Sequence, residues 1–310
     1  MWGLVVIYAA YRIAMLLKAE GRTLALVSAA WVAFLPQFTF ITASVRSDSV
    51  ANAVAALVFL CAALLQTRMV SRNRLALAMG ALTGVGLLTK LTFVYIAPLG
   101  LIAIMLTNIR SPRSWIRMIA YFAAPVVVLT GGYYALFGEA RSALAYLLTT
   151  AAVRPDALSW DYLIRLPIPL WVDLFYACFG WANVVVAAPW RWLAFGIWGI
   201  GTCVTCVQAV RVRCLPVDRL HVKIIAVLII GLVLAFLGTI RINLSILTPQ
   251  GRYIFPALAA WSVVAFWGLW RILPPTGREI AGVVVPCFML IFNLYSLLLV
   301  LMPAYYSAPS

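Results

Sequence analysis

Thr248-Pro249-Gln250-Gly251-Arg252-Tyr253-Ile254-Phe255-Pro256 lies between two apolar runs, Val222–Ile240 and Ile254–Trp270, each long enough to cross a bilayer. A polar segment with a cation at the start of a membrane helix is costly unless something anionic meets it. Pro249 and Pro256 bracket the turn, and Gly251 allows the backbone to approach a ligand closely. Arg252 offers a planar fork of donors suited to phosphate or carboxylate. The simpler alternative is that Arg252 snorkels to the interface. The position of this segment in the membrane decides between the two, and that position follows from the rest of the chain.

The 310 residues are 65% hydrophobic and 10% charged, with a mean hydropathy of +1.06. Soluble domains are about half apolar and a quarter charged, so this is an all-α polytopic membrane protein. The net charge of +15 arises from 23 Lys and Arg against 8 Asp and Glu. The cations cluster in short loops between apolar runs, where the positive-inside rule expects them, and no nucleic-acid partner is implied. The 6 cysteines are scattered. Cys203 and Cys206 form a CxxC without a second pair or a nearby His, a poor zinc site that reads as packing. The single histidine, His221, sits in a basic loop, which argues against a His-based metal site or triad.

Spans of about 17–22 residues fall at Trp2–Leu17, Thr23–Ile41, Ser49–Thr67, Leu75–Thr89, Thr92–Asn108, Trp115–Phe137, Trp192–Val210, Val222–Ile240, Tyr253–Trp270 and Ile280–Met302. The first has neither a basic n-region nor a small-residue cleavage site, so it reads as a span rather than a signal peptide. Leu75–Thr89 carries Gly80, Gly84 and Gly86, which suits close helix packing. Arginines at 68, 72, 74, 110, 113, 117, 211, 213, 219, 271 and 278 mark the cytoplasmic side, together with Lys18, Arg22 and Lys223. Counting Trp171–Ala188 as a span would expel the basic loop 211–223, so this aromatic-rich run reads as an interfacial or re-entrant helix. About ten spans result, with both termini outside, in a single integral membrane domain (1–310) with one long extracytoplasmic loop (138–191). Asp48, Glu139, Asp156, Asp161 and Asp173 then face outward, as do Lys90 and Arg252. The cytoplasmic loops have no room for a nucleotide domain, and neither GxxxxGK[ST] nor GxGxxG occurs.

Four stretches resemble GT-C-type membrane glycosyltransferases. Leu35-Pro36-Gln37-Phe38-Thr39-Phe40-Ile41-Thr42-Ala43-Ser44-Val45, followed by Asp48, resembles their second outer loop. Gly84-Val85-Gly86-Leu87-Leu88-Thr89-Lys90 is similar to their GLALLTK hairpin. Cys178-Phe179-Gly180-Trp181-Ala182-Asn183-Val184 and Gln250-Gly251-Arg252-Tyr253-Ile254-Phe255-Pro256 resemble the FGW-N and QGRYLFP segments of one bacterial branch. The matches run in the family's order from about residue 35 to 260.

The resemblance implies transfer of a sugar from a polyprenyl-phosphate carrier to a lipid or cell-envelope polysaccharide acceptor. The reaction would occur at the outer face of the bacterial inner membrane, with the carrier-linked sugar and membrane lipid as partners. It implies that Lys90 and Arg252 hold the donor phosphate, with Gln250, Tyr253, Trp181 and Asn183 completing the substrate-binding set. Asp48 would act as general base or as ligand of a divalent metal; as an N-cap it would serve the helix instead. Family members carry an acidic motif in a first outer loop after a leading helix. Here no acid precedes Glu20, which falls on the cytoplasmic side, so the chain is expected to lack that helix and loop or to be inactive alone. Two other readings fit the same composition: a lipid-linked sugar transporter or flippase, and a non-catalytic membrane subunit.

Overall fold

A backbone segment in hydrocarbon must satisfy its own polar groups, and an apolar run does so as a helix. All ten apolar runs are accordingly helical in the structure, a computed structural model that describes residues 1–17, 21–44, 46–67, 69–107, 111–137, 174–179, 184–210, 219–245 and 251–306. Among the described residues, 6 helices are long and apolar enough to cross a membrane, and a bent pair makes a seventh candidate. The remaining three runs are helical but shorter, or, in the run beginning at Arg72, less apolar.

Helices α1 (Trp2–Met15) and α2 (Gly21–Ala33) pack as neighbours. The run Thr23–Ile41, expected as one span, breaks at Leu35–Pro36. Proline has no N–H to continue the ladder and disfavours helical geometry in the residue before it. Leu35 is extended (φ −68°, ψ 113°), and α3 (Pro36–Ala43) leaves at 61° to α2. The freed backbone is satisfied from elsewhere. The Asn293 amide donates to the Phe34 carbonyl at 3.1 Å and to the Thr39 hydroxyl at 2.9 Å, and that hydroxyl donates to the Leu35 carbonyl at 3.1 Å.

Next come α4 (Ser47–Gln66) and α5 (Arg72–Thr89), a 3₁₀ turn (Leu91–Tyr95), α6 (Pro98–Met105) and α7 (Pro112–Phe137). The small residues of α5 do what their pattern predicts. A Cβ on Gly80 would overlap the Phe122 carbonyl oxygen of α7, and one on Gly84 would lie 3.4 Å from the Pro125 oxygen. Strands β1 (Cys178–Phe179) and β2 (Val184–Val185) pair antiparallel, Cys178 opposite Val185. They precede α8 (Ala188–Val210), α9 (Arg219–Ser245), a 3₁₀ turn (Gly251–Ala257), α10 (Leu258–Ile272) and α11 (Pro275–Leu294). A π-helical stretch (Tyr295–Leu301) and α12 (Met302–Tyr306) follow.

Helices α4 and α5 pack side by side, and the end of α5 lies beside the start of α4. Helices α8 and α10 run side by side in the same direction. The Thr205 hydroxyl donates to the Val264 carbonyl at 2.6 Å, and the Trp261 indole N–H donates to the Thr202 hydroxyl at 3.0 Å. The stretch Gly251–Ile272 and helix α4 form the centre, 83% and 72% buried, whereas α7 is peripheral at 6%.

In its described residues, the run Trp171–Ala188 differs from the interfacial or re-entrant helix expected of it. Its described residues hold one helical turn, Leu174–Tyr176, and the β1–β2 ladder. The extended backbone has a partner outside the ladder, because the Cys178 N–H donates to the Gln37 side-chain oxygen of α3 at 2.9 Å. β-Branched Val184 and Val185 favour the pleat over the helix. Most of the long loop at 138–191 lies outside the described residues, and with it Glu139, Asp156, Asp161 and Asp173.

Candidate active site

Helix α4 starts after an extended Arg46 (φ −137°, ψ 152°), so Asp48 falls in its first turn, where the free N–H groups favour a negative charge. The N-cap role weighed for Asp48 does not arise. The cap position belongs to Arg46, and no side-chain cap bond forms. The Asp48 carboxylate forms an ion pair with Lys90 instead, and its second oxygen lies 3.8 Å from a terminal nitrogen of Arg252.

Each cation reaches this point for a local reason. Helix α5 stops at Lys90, whose extended backbone (φ −155°, ψ 123°) turns the chain away from the α5 axis. Phe93 of the following turn packs directly on Gly86, where any Cβ would strike its ring. Arg252 is the second residue of the 3₁₀ turn leading into α10. That turn is seated by Gly251, where a Cβ would lie 2.5 Å from the Phe175 Cα. The close approach Gly251 permits is thus to the Leu174–Tyr176 turn of this chain, not to a ligand. The Tyr253 ring lies beside both cations, with its centroid 5.2 Å from Lys90 Nζ and 5.8 Å from Arg252 Cζ.

Asp48, Lys90 and the neighbours Arg252 and Tyr253, from three separate stretches of sequence, therefore meet at one end of the bundle. The three charged side chains are largely but not wholly buried, at 13% (Asp48), 25% (Lys90) and 24% (Arg252) exposure. Trp181, Asn183 and Gln250 lie outside the described residues. Sequence reading missed Asn52, one turn below Asp48 on α4. It is 2% exposed, and its amide nitrogen has no partner. The Arg252 Nε is likewise buried without a partner. The available signal was spacing: an amide four residues after an acid, inside an apolar helix. Gln37 and Asn293 were missed for another reason, since their roles depend on elements distant in the chain.

Below the cluster, Phe175, Tyr176, Trp198, Phe255 and Trp261 pack ring on ring, with Trp198 and Trp261 stacked at 4.1 Å. Burial pushes the Tyr176 phenol well above its usual range, so it is a neutral hydroxyl here. A groove of about 210 Å³ opens between α8, α9 and α10, lined by Cys206, Leu232, Val233, Phe236, Ile254 and Trp261 among others. Ile254 links it to the charged cluster, two residues from Arg252, and exposed Val233 marks its flank.

Among the described residues, no three His, Cys, Asp or Glu side chains gather where they could hold an ion. The Asp48 carboxylate is met by two cations instead, a donor set that does not fit a metal ligand. What the cluster can do is bind an anion through Lys90 and Arg252 and present a carboxylate beside it.

No protein-family model matches the sequence, and no curated protein matches it. Among solved structures, the chain is similar to ArnT from Cupriavidus metallidurans, crystallised with undecaprenyl phosphate bound. The two are 18% identical with a TM-score of 0.54, over 92% of this chain and 48% of that one. The chain spans about half the length of the structure it matches, and the likeness shows that the two share a polytopic helical membrane fold.

Proposed function

We propose that this chain is a membrane glycosyltransferase that moves a sugar from a polyprenyl-phosphate carrier to a lipid or cell-envelope polysaccharide acceptor at the outer face of a bacterial inner membrane. The observation that carries the reading is the convergence of Lys90 and Arg252, from separate elements, on the Asp48 carboxylate. Snorkelling would place each cation at the membrane boundary, but it gives no reason for two of them to share one carboxylate. A fold shared with a protein that binds undecaprenyl phosphate supports the same reading.

In this reading Lys90 and Arg252 hold the carrier phosphate, with the Tyr253 ring fixing both cations. The groove beginning at Ile254 receives the isoprenoid chain, whose apolar surface matches its lining. Asp48 acts as general base. It takes the proton of the acceptor hydroxyl as that oxygen attacks the anomeric carbon and the phosphate departs with the bonding pair. Trp181, Asn183 and Gln250 are proposed to contact the sugar or acceptor.

The test is titration of the purified chain in lipid nanodiscs with undecaprenyl phosphate. The wild type should bind, and Lys90→Met and Arg252→Ala should each weaken binding about tenfold or more. Undiminished binding in both variants would make these residues interface anchors and defeat the reading. Transfer is then assayed with a panel of polyprenyl-phosphate sugars.

A further inference from the structure

We infer that Asp48, besides acting as base, sets the charge of the phosphate seat, so that the seat matches the donor before transfer and the product after it. This rests on the carrier reading above. Among the described residues the cluster consists of two cations, Lys90 and Arg252, and one carboxylate, a net charge of +1. A polyprenyl-phosphate sugar is a phosphodiester with a single negative charge. The polyprenyl phosphate left after transfer is a monoester, close to doubly charged at neutral pH, because a phosphate monoester's second ionisation lies near pH 6.

The step itself links the two charges. One bond forms, from the acceptor oxygen to the anomeric carbon. One bond breaks, from the anomeric carbon to the phosphate oxygen, and its electron pair leaves with the phosphate. One proton moves, from the acceptor hydroxyl to Asp48. The phosphate gains a negative charge as Asp48 loses one, so the seat changes from +1 facing −1 to +2 facing −2. Once Asp48 gives up its proton, the seat returns to +1 and holds the doubly charged product less tightly. Loss of that proton then eases release of the spent carrier.

The geometry supports a seat of this kind. Asp48 lies close enough to both cations that an anion held by them also feels the carboxylate. The Arg252 Nε and the Asn52 amide nitrogen, buried and without partners, are donors left for the phosphate oxygens. Tyr253 is the other titratable side chain against both cations, and it contributes its ring face.

The experiment compares farnesyl phosphate, a monoester, with its methyl diester, in nanodiscs at pH 7.5 and low salt. Asp48→Asn removes one negative charge from the seat. It should tighten monoester binding roughly tenfold or more, and diester binding by about the square root of that factor, since the diester carries half the charge. The monoester-to-diester affinity ratio therefore rises. Arg252→Gln should lower the same ratio, which keeps the test decisive if Asp48→Asn does not fold. Thermal melting of each variant checks integrity. An unchanged ratio in Asp48→Asn, or weaker binding of both probes, would mean that Asp48 only positions the cations, and would overturn the inference while the carrier reading stands. Failure of the wild type to bind either probe would overturn both.

Discussion

Arginines stand at both ends of the bundle, but they are placed differently at each. At the end opposite the candidate site, the contacts of Arg12, and some of those of Arg271 and Arg278, are with residues close in the chain. Arg12 donates to the Tyr8 hydroxyl at 2.8 Å, one turn back on α1. Arg271 lies 5.6 Å over the Trp267 ring of its own helix, and Arg278 donates to the Leu273 carbonyl at 3.0 Å. Arg113 and Arg117 are exposed near the start of α7. Such contacts keep a long side chain at an interface and ask nothing of the fold. At the site end, Lys90 and Arg252 come from separate elements to meet Asp48 of a third. For a cation at a membrane boundary, then, the informative feature is how far away in sequence its partner lies. A fold that brings three charges together across its helices must hold them against their cost of desolvation, and that is a mark of function.

The contrast can be broken or sharpened by four measurements. The largest expected effect is on chemistry. Asp48→Asn should reduce sugar transfer by roughly 10²–10⁴-fold, the range for a lost general base, while the protein stays folded by thermal melting. Full transfer by this variant would move the base elsewhere. Next is carrier binding. Arg252→Ala should weaken undecaprenyl phosphate binding by about 1.5–3 kcal/mol, and Arg252→Lys should recover only part of that, since it restores charge without the fork. The same change at Arg117 should leave binding within about twofold, as expected of an exposed cation. An equal loss at either end would erase the distinction.

Packing comes third. A Cβ on Gly268 would overlap the Gly201 carbonyl oxygen of α8, whereas one on Gly199 would meet nothing within 4 Å. Gly268→Ala should therefore lower stability in detergent by about 1–3 kcal/mol, and Gly199→Ala should not lower it. The smallest effect belongs to Arg12→Ala. Losing its exposed bond to the Tyr8 hydroxyl should shift stability by no more than about 1.5 kcal/mol, with no change in carrier binding.

Much of this molecule is legible in its sequence, for a simple reason. The thickness of a bilayer fixes the length of an apolar run, and hydrocarbon forces that run to be helical, so the helices follow from composition. Asp48, Lys90 and Arg252 were also legible, as charged residues at the ends of apolar runs where a charge needs a reason. The glycines of α5 announced a close helix contact, and α7 supplies it. Tertiary structure alone decided the rest. Pro36 marks a break, but its 61° bend depends on Asn293, more than 250 residues away, to satisfy the freed carbonyl. The strand β1 depends on Gln37 of α3, and the partner of Gly251 is Phe175 rather than a ligand. Whether Lys90 and Arg252 each rest alone at the interface or together meet Asp48 could not be read from any local stretch. Local sequence sets how far each residue lies from the membrane boundary, but only helix packing sets which boundary residues become neighbours.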